Sequence, residues 1–128
     1  MPAWNDYKAE AAARGALAFE LYAVQSVPAG DPAAIKANFP DHLAYQAEQE
    51  KRGALFLAGP LSDETGDQME GMGQIIYRAA SLEEAREIAE NDPMHKCGAR
   101  TFTLRRWLIN EGALTLSVSL AGQSAGFK

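Results

Sequence analysis

Two histidines and one cysteine are the only imidazoles and thiol among the 128 residues, so proton-transfer or nucleophilic chemistry has few places to sit. His42 opens a segment with helical spacing. Asp92 stands before Pro93, which disfavours the α region for the residue ahead of it and holds the aspartate at a corner. A carboxylate that accepts one ring N–H of a histidine fixes its tautomer and favours its protonated form. The other nitrogen is then left to move a substrate proton near neutral pH. In the first turn of a helix the dipole opposes this and favours the neutral base. The plainer alternatives are an exposed first-turn side chain for His42 and an ordinary turn residue for Asp92. His95, Lys96 and Arg100 lie close after Asp92. They read either as a solvated loop histidine with surface charge or as groups that hold an anionic substrate. Cys97 would follow a helix C-terminus, where a thiolate is disfavoured, and reads as a packed thiol. Gly71-Met72-Gly73 is no dinucleotide loop, because Ile76 stands where the third glycine belongs and a strand follows. His42, Asp92 and His95 have no recognised ligand spacing, so neither a metal nor a cofactor is expected.

The elements that must position these groups are clearest from Ser81 to Ile109. Ser81 with Glu84 three positions later is a capping box, and Leu82, Ala85, Ile88 and Ala89 form an apolar stripe at helical spacing. Asn91 tolerates a left-handed turn and Pro93 follows, so that helix should close near Asn91. From Thr101 to Ile109 the period becomes two, with Phe102, Leu104 and Leu108 on one face and Trp107 and Ile109 on the other. Upstream, residues 3–14 predict a leading helix ended by Gly15, and Ala16 to Val27 reads as a strand with helix as the alternative. Asp31-Pro32 begins a short helical turn. Pro40 predicts a break near Phe39 and a second helix from Asp41 to Lys51, with His42 in its first turn. Ala54 to Ala58 reads as a buried strand turned by Gly59-Pro60. Residues 61–73 read as a mobile connection able to act as a lid, and Gln74 to Ala79 as a strand. Leu114, Leu116, Val118 and Leu120 alternate with polar residues in a last, one-sided strand, and the tail after it reads as frayed.

A chain of this length with 47% hydrophobic and 23% charged residues suits one domain with one core. A net charge of -5 argues against nucleic-acid and anionic-membrane partners, which call for clustered Lys and Arg. A small-molecule ligand or substrate is the expected partner. A lone cysteine gives no disulfide framework and fits a reducing, cytoplasmic location. The N-terminal segment has acidic residues and no uninterrupted apolar core, so it reads as neither signal peptide nor anchor, and no run reaches membrane-spanning length.

The order strand, helix, strand, strand, helix, strand predicts an α+β fold, the ferredoxin-like split βαβ (βαββαβ), with an extra C-terminal strand. Both helices then lie on one face of an antiparallel sheet. Chain direction gathers His42, Asp92, Gly59, Pro60 and Ser26 at one end, with His95 and Arg100 on the same rim. The open sheet face, apolar in part, predicts a homodimer. His42-Leu43, Gly53, Gly59-Pro60, the Ser-Leu-Glu-Glu-Ala helix start and Asp92-Pro93 with Gly98 resemble the YciI-like (YCII-related) family of the dimeric α+β barrel superfamily, over about residues 17–110. The resemblance implies dimerisation through the sheets and a catalytic His-Asp pair at His42 and Asp92. Ser26, Gly59, Pro60, His95 and Arg100 are the candidate substrate-binding residues around it. It also implies a small-molecule lyase or isomerase, like a chlorohydroxyhydroquinone dehydrochlorinase or, more distantly, muconolactone isomerase. A non-catalytic binding or interaction module is the alternative. The expected divisions are a helical extension over residues 1–15, the YciI-like domain over 16–110, and a strand with tail over 111–128.

Overall fold

In the computed structural model, which describes residues 1–127, helix α1 (Trp4–Ala13) precedes β1 (Phe19–Pro28), α2 (Pro32–Lys51), β2 (Leu55–Ser62) and β3 (Met69–Tyr77). Helices α3 (Leu82–Glu90) and α4 (Pro93–Lys96), then strands β4 (Arg100–Ile109), β5 (Leu116–Ser119) and β6 (Ser124–Phe127), complete it. Two compact units result, residues 20–107 and, separately, residues 1–19 with those from 108 onward. Strands β1 to β4 make one sheet of order β2-β3-β1-β4, the split βαβ arrangement of an α+β, ferredoxin-like fold.

Strand alternation builds the core. Tyr22 lies opposite Tyr77 and Val24 opposite Ile75 across the antiparallel β1–β3 pair. These side chains share one face and pack with Ala85, Ile88 and Ala89 of α3, with Phe102 and Leu104 of β4 against them. Burying each of the larger aliphatic side chains contributes about 1.5–3 kcal/mol. Helix α3 starts where the sequence predicts. Ser81 Oγ accepts from the Glu84 N–H at 3.1 Å, while the Glu84 carboxylate accepts from Ala80 N–H at 3.0 Å, one residue earlier than in the usual box.

Several expectations need correction. Residues 32–51 form one helix, with Pro40 inside it and no break at Phe39. An interior proline removes one backbone hydrogen bond and costs about 3 kcal/mol. Here both ends are secured. Asp31 accepts from Ala33 N–H at 2.9 Å, and Gly53, at φ +80, turns the chain so that Gly53 and Ala54 donate back to Glu50 and Gln49. The second half is also tied to α3, since Tyr45 Oη donates to the Ile88 carbonyl at 2.6 Å. Tertiary anchoring therefore overrides the local penalty.

Strand β2 does not turn at Gly59-Pro60 but runs through them to Ser62, paired among the described residues only with β3, with a register irregularity between Pro60 and Ser62. Proline is tolerated on an edge strand because its outer side needs no ladder donor. The edge position also leaves the expected buried run largely exposed, with Phe56 beneath the Arg78 guanidinium at 4.3 Å. The connection to β3 is residues 63–68 rather than a lid over 61–73. Asp63 Oδ1 accepts from Thr65 Oγ1 and from the Thr65 and Gly66 N–H groups, with the Thr65 hydroxyl foremost in holding this carboxyl below its usual range. Asn91 is right-handed, not left-handed, and its side chain donates to the Glu87 carbonyl. The last strand is shorter than expected and the segment after it is not frayed. Leu116 pairs with Phe127 and Ser119 with Ser124, so β5 and β6 form a separate two-stranded hairpin. Among the described residues no helix is long and apolar enough to cross a membrane.

Candidate functional site

Asp92 does two jobs because of where the chain bends. Pro93 occupies the first position of α4, and Asp92 caps that short helix, its Oδ1 accepting from Met94 N–H at 3.0 Å. The same fully buried carboxylate accepts from His42 Nδ1, with both oxygens at 2.8 Å. The two residues are fifty positions apart and meet because α2 lies against α4. With Nδ1–H committed to a carboxylate, the neutral imidazole carries its lone pair on Nε2. His42 does not open its helix. It lies about 15 Å along α2, beyond the first turn in which a helix dipole acts, so the expected opposition from the dipole is absent.

His42 lines a cavity of about 370 Å³ between α2 and the helix-facing side of the sheet, within the size range of small-molecule sites. From α2 come Ile35, Phe39, Leu43 and Gln46, and from the strands Ser26, Gly59, Pro60, Gln74, Ile75 and Arg100. Met69, Met72 and Met94 add soft apolar wall. Asp92 is not on the surface of the cavity but behind His42.

A second chain of hydrogen bonds crosses the sheet side. His95 Nδ1 lies 2.8 Å from the Ala89 carbonyl, which can only accept, so Nδ1 carries the hydrogen. The neutral ring then offers Nε2 as acceptor to the Ser26 hydroxyl at 2.7 Å. Ser26 Oγ in turn accepts from Arg100 Nε at 2.8 Å, and Arg100 Nη2 donates to the carbonyls of Ser26, at 2.8 Å, and Gly71. Burial is the main cause that lowers the proton affinity of His95, against the pull of the Ala89 carbonyl and Asp92. It likewise pushes down that of Arg100, against the pull of Asp92.

Of the residues singled out from sequence, His42, Ser26, Gly59, Pro60 and Arg100 share the cavity wall, and Asp92 supports it. His95 is not a solvated loop residue. It stands behind Ser26 with its ring 4.7 Å from that of Phe102 and does not line the cavity. Lys96 is exposed and off the wall, and Cys97 is an exposed thiol rather than a packed one. Phe39 and Gln46 were missed, although Ile35, Phe39, His42 or Leu43, and Gln46 repeat at the spacing of one helix face once α2 is read through Pro40. Among the described residues no three His, Cys, Asp or Glu side chains converge as a metal site.

The family model of the YCII-related domain matches residues 20–108. An uncharacterized protein of Bacillus subtilis (strain 168), YjpA, is 38% identical over 64 residues, which cover 50% of this chain and 66% of that protein's length. Among solved structures, 5-chloro-2-hydroxyhydroquinone dehydrochlorinase (TftG) from Burkholderia phenoliruptrix AC1100, in complex with 2,5-dihydroxybenzoquinone, has the same fold. It matches with a TM-score of 0.52 and 23% identity, covering 68% of this chain and 92% of that one.

Proposed function

Because this chain belongs to the YCII-related domain family, we propose that it is a small-molecule lyase or isomerase in which His42, oriented by Asp92, moves a proton of a cyclic hydroxylated or lactone substrate. The observation that carries this reading is the 2.8 Å contact of His42 Nδ1 with both carboxylate oxygens of a buried aspartate, which leaves Nε2 for the cavity. The base takes a proton from the substrate, and the electron pair left behind enters the ring as a π bond. In a dehydrochlorination the substrate reacts as its keto tautomer, whose chlorinated carbon has gained a ring hydrogen and is sp3. The pair expels chloride from that carbon, and the imidazolium passes its proton to solvent, for a net loss of HCl. In an isomerisation the imidazolium returns the proton to a different atom. Asp92 stabilises the imidazolium formed between the two steps. The dehydrochlorinase activity of the structural neighbour supports the lyase branch.

Turnover of 5-chloro-2-hydroxyhydroquinone and of a small panel of lactones, followed by chloride release and absorbance, tests the proposal. Wild type should turn over at least one of them. His42→Gln should lose about 100-fold or more in kcat, the usual worth of a positioned acid-base group. Full activity of His42→Gln, or tight binding by wild type with no turnover, would instead make the cavity that of a binding module.

A further inference from the structure

Arg100 is the one Lys or Arg side chain in the cavity wall among the described residues. With Asp92 paired to His42, Arg100 has no carboxylate within ion-pair distance among the described residues. All its bonds go to neutral acceptors, Nε to Ser26 Oγ and Nη2 to two carbonyls, which leaves Nη1 without a partner. Those acceptors fix the plane of the fork but carry no charge to offset it. A guanidinium stays protonated in proteins; Asp92 favours its charge only from beyond ion-pair distance, and a partly buried guanidinium with no carboxylate in contact is held at a desolvation cost. The remaining wall is chiefly apolar, apart from His42, Gln46, Gln74 and Ser26.

We infer that the cavity takes its ligand as an oxyanion on an apolar ring, the negative oxygen held by Arg100 on the sheet side while His42 faces the ring from α2. The inference rests on the proposed use of this cavity and adds the charge of what enters it. It also reconciles two opposed signals. A chain of net charge -5 repels extended polyanions, whereas one desolvated arginine inside a small cavity binds a compact anion through short-range, charge-assisted bonds. A guanidinium beside the ring oxygen further draws off the charge that builds there when His42 removes a proton.

Isothermal titration with three probes tests this: 2,5-dihydroxybenzoquinone, a vinylogous acid that is ionised at neutral pH; its neutral ether 2,5-dimethoxybenzoquinone; and benzoate. Wild type should bind the ionised quinone at least about tenfold more tightly than the ether, as one charge-assisted bond implies. In Arg100→Gln that preference should collapse through weaker binding of the anion, with the ether changed less than about threefold, and Arg100→Lys should retain part of it. Benzoate separates the sources of charge. Binding that matches the quinone assigns the site to carboxylates as well, and weaker binding assigns it to ring oxyanions. His42→Gln should keep the preference, so loss of catalysis and loss of anion recognition are told apart. Equal wild-type affinity for the two quinones, a comparison that needs no variant, overturns the inference, as does an anion preference that survives in Arg100→Gln.

Discussion

Replacing Asp92 with asparagine tests the reasoning about the site without a known substrate. The carboxylate has two dependents, the Met94 N–H at 3.0 Å on Oδ1 and His42 Nδ1 at 2.8 Å from both oxygens. An asparagine has one accepting oxygen. Keeping that oxygen on Met94 preserves the cap of α4 and turns the amide NH2 toward His42 Nδ1. Two donors cannot face each other, so the imidazole must move its hydrogen to Nε2. The base then presents a hydrogen to the cavity where it had presented a lone pair. If the pair is catalytic, an inverted tautomer should lower kcat by about 10²–10⁴. Stability should fall modestly. A neutral hydrogen bond of about 1 kcal/mol replaces a charged one of about 1.5–3 kcal/mol, a loss of about 0.5–2 kcal/mol. Asp92→Ala should lose more, about 2–5 kcal/mol, since the cap, worth about 0.5–2 kcal/mol, goes with the charged bond. The assay is ¹⁵N NMR of the imidazole at a pH where it is neutral, with urea unfolding alongside. Wild type should show Nδ1 as the protonated nitrogen and Asp92→Asn should show Nε2. An unchanged tautomer in a folded Asp92→Asn protein would refute the claim that Asp92 orients His42.

Three further outcomes follow from the same geometry. Because burial holds the proton affinity of His95 below that of an exposed imidazole, near 6.5, the unfolded chain takes up a proton that the folded chain still refuses. Its contribution is therefore full above about pH 6.5 and declines as pH falls below that value. His95→Gln should lose less stability than wild type between pH 7.5 and 5.5 in urea, and identical losses would count against a buried neutral His95. Gly71 has φ +87, and a Cβ there would lie 2.9 Å from Pro28 Cγ, whereas Gly66, at φ +85, has nothing within 4 Å. Gly66→Ala should cost about 1–2 kcal/mol for the left-handed backbone alone and Gly71→Ala measurably more, with equal costs in thermal melts contradicting the contact. Finally, Leu57 and Trp107 stay 53% and 42% exposed within the sheet, which motivates a homodimer through its open face. Sedimentation at micromolar concentration should show a dimer that Trp107→Glu weakens, and a monomer at those concentrations would remove the barrel.

How much of this was legible from the residues depended on whether the signal was local. Helix α3 carries its own cap, stripe and stop between Ser81 and Pro93, and β4 alternates in its first half, so both are read without the rest of the chain. The corner at Asp92 is local too, since a proline at the next position leaves little choice. The burial of β2 was misread because its apolar run resembles an inner strand, and only the crossover order shows that it forms the edge. The tail offers no pattern that predicts β6, whose pairing is set by the register of β5. His95 had no legible partner in the sequence. Its acceptor and donor groups come from Ala89, six residues away, and Ser26, sixty-nine away, and only the fold joins them.

Pro40 ties these cases to function. A break there would have put His42 in a first turn, at an exposed end, with the dipole acting against protonation. The continuous helix instead carries His42 beyond its first turns to the level of α4, so that a residue in the body of one helix meets the cap of another. The aspartate can be fully buried because its second bond, to Met94, is supplied by backbone that the turn holds in place. On the opposite wall Arg100 is fixed in the same way, by carbonyls of β1 and β3 rather than by an acid. In both groups fixed neutral bonds set the orientation of an ionised side chain. Asp92 has a direct donor in His42, whereas Arg100 feels Asp92 only from beyond ion-pair distance, which leaves its direct charged partner to the proposed ligand.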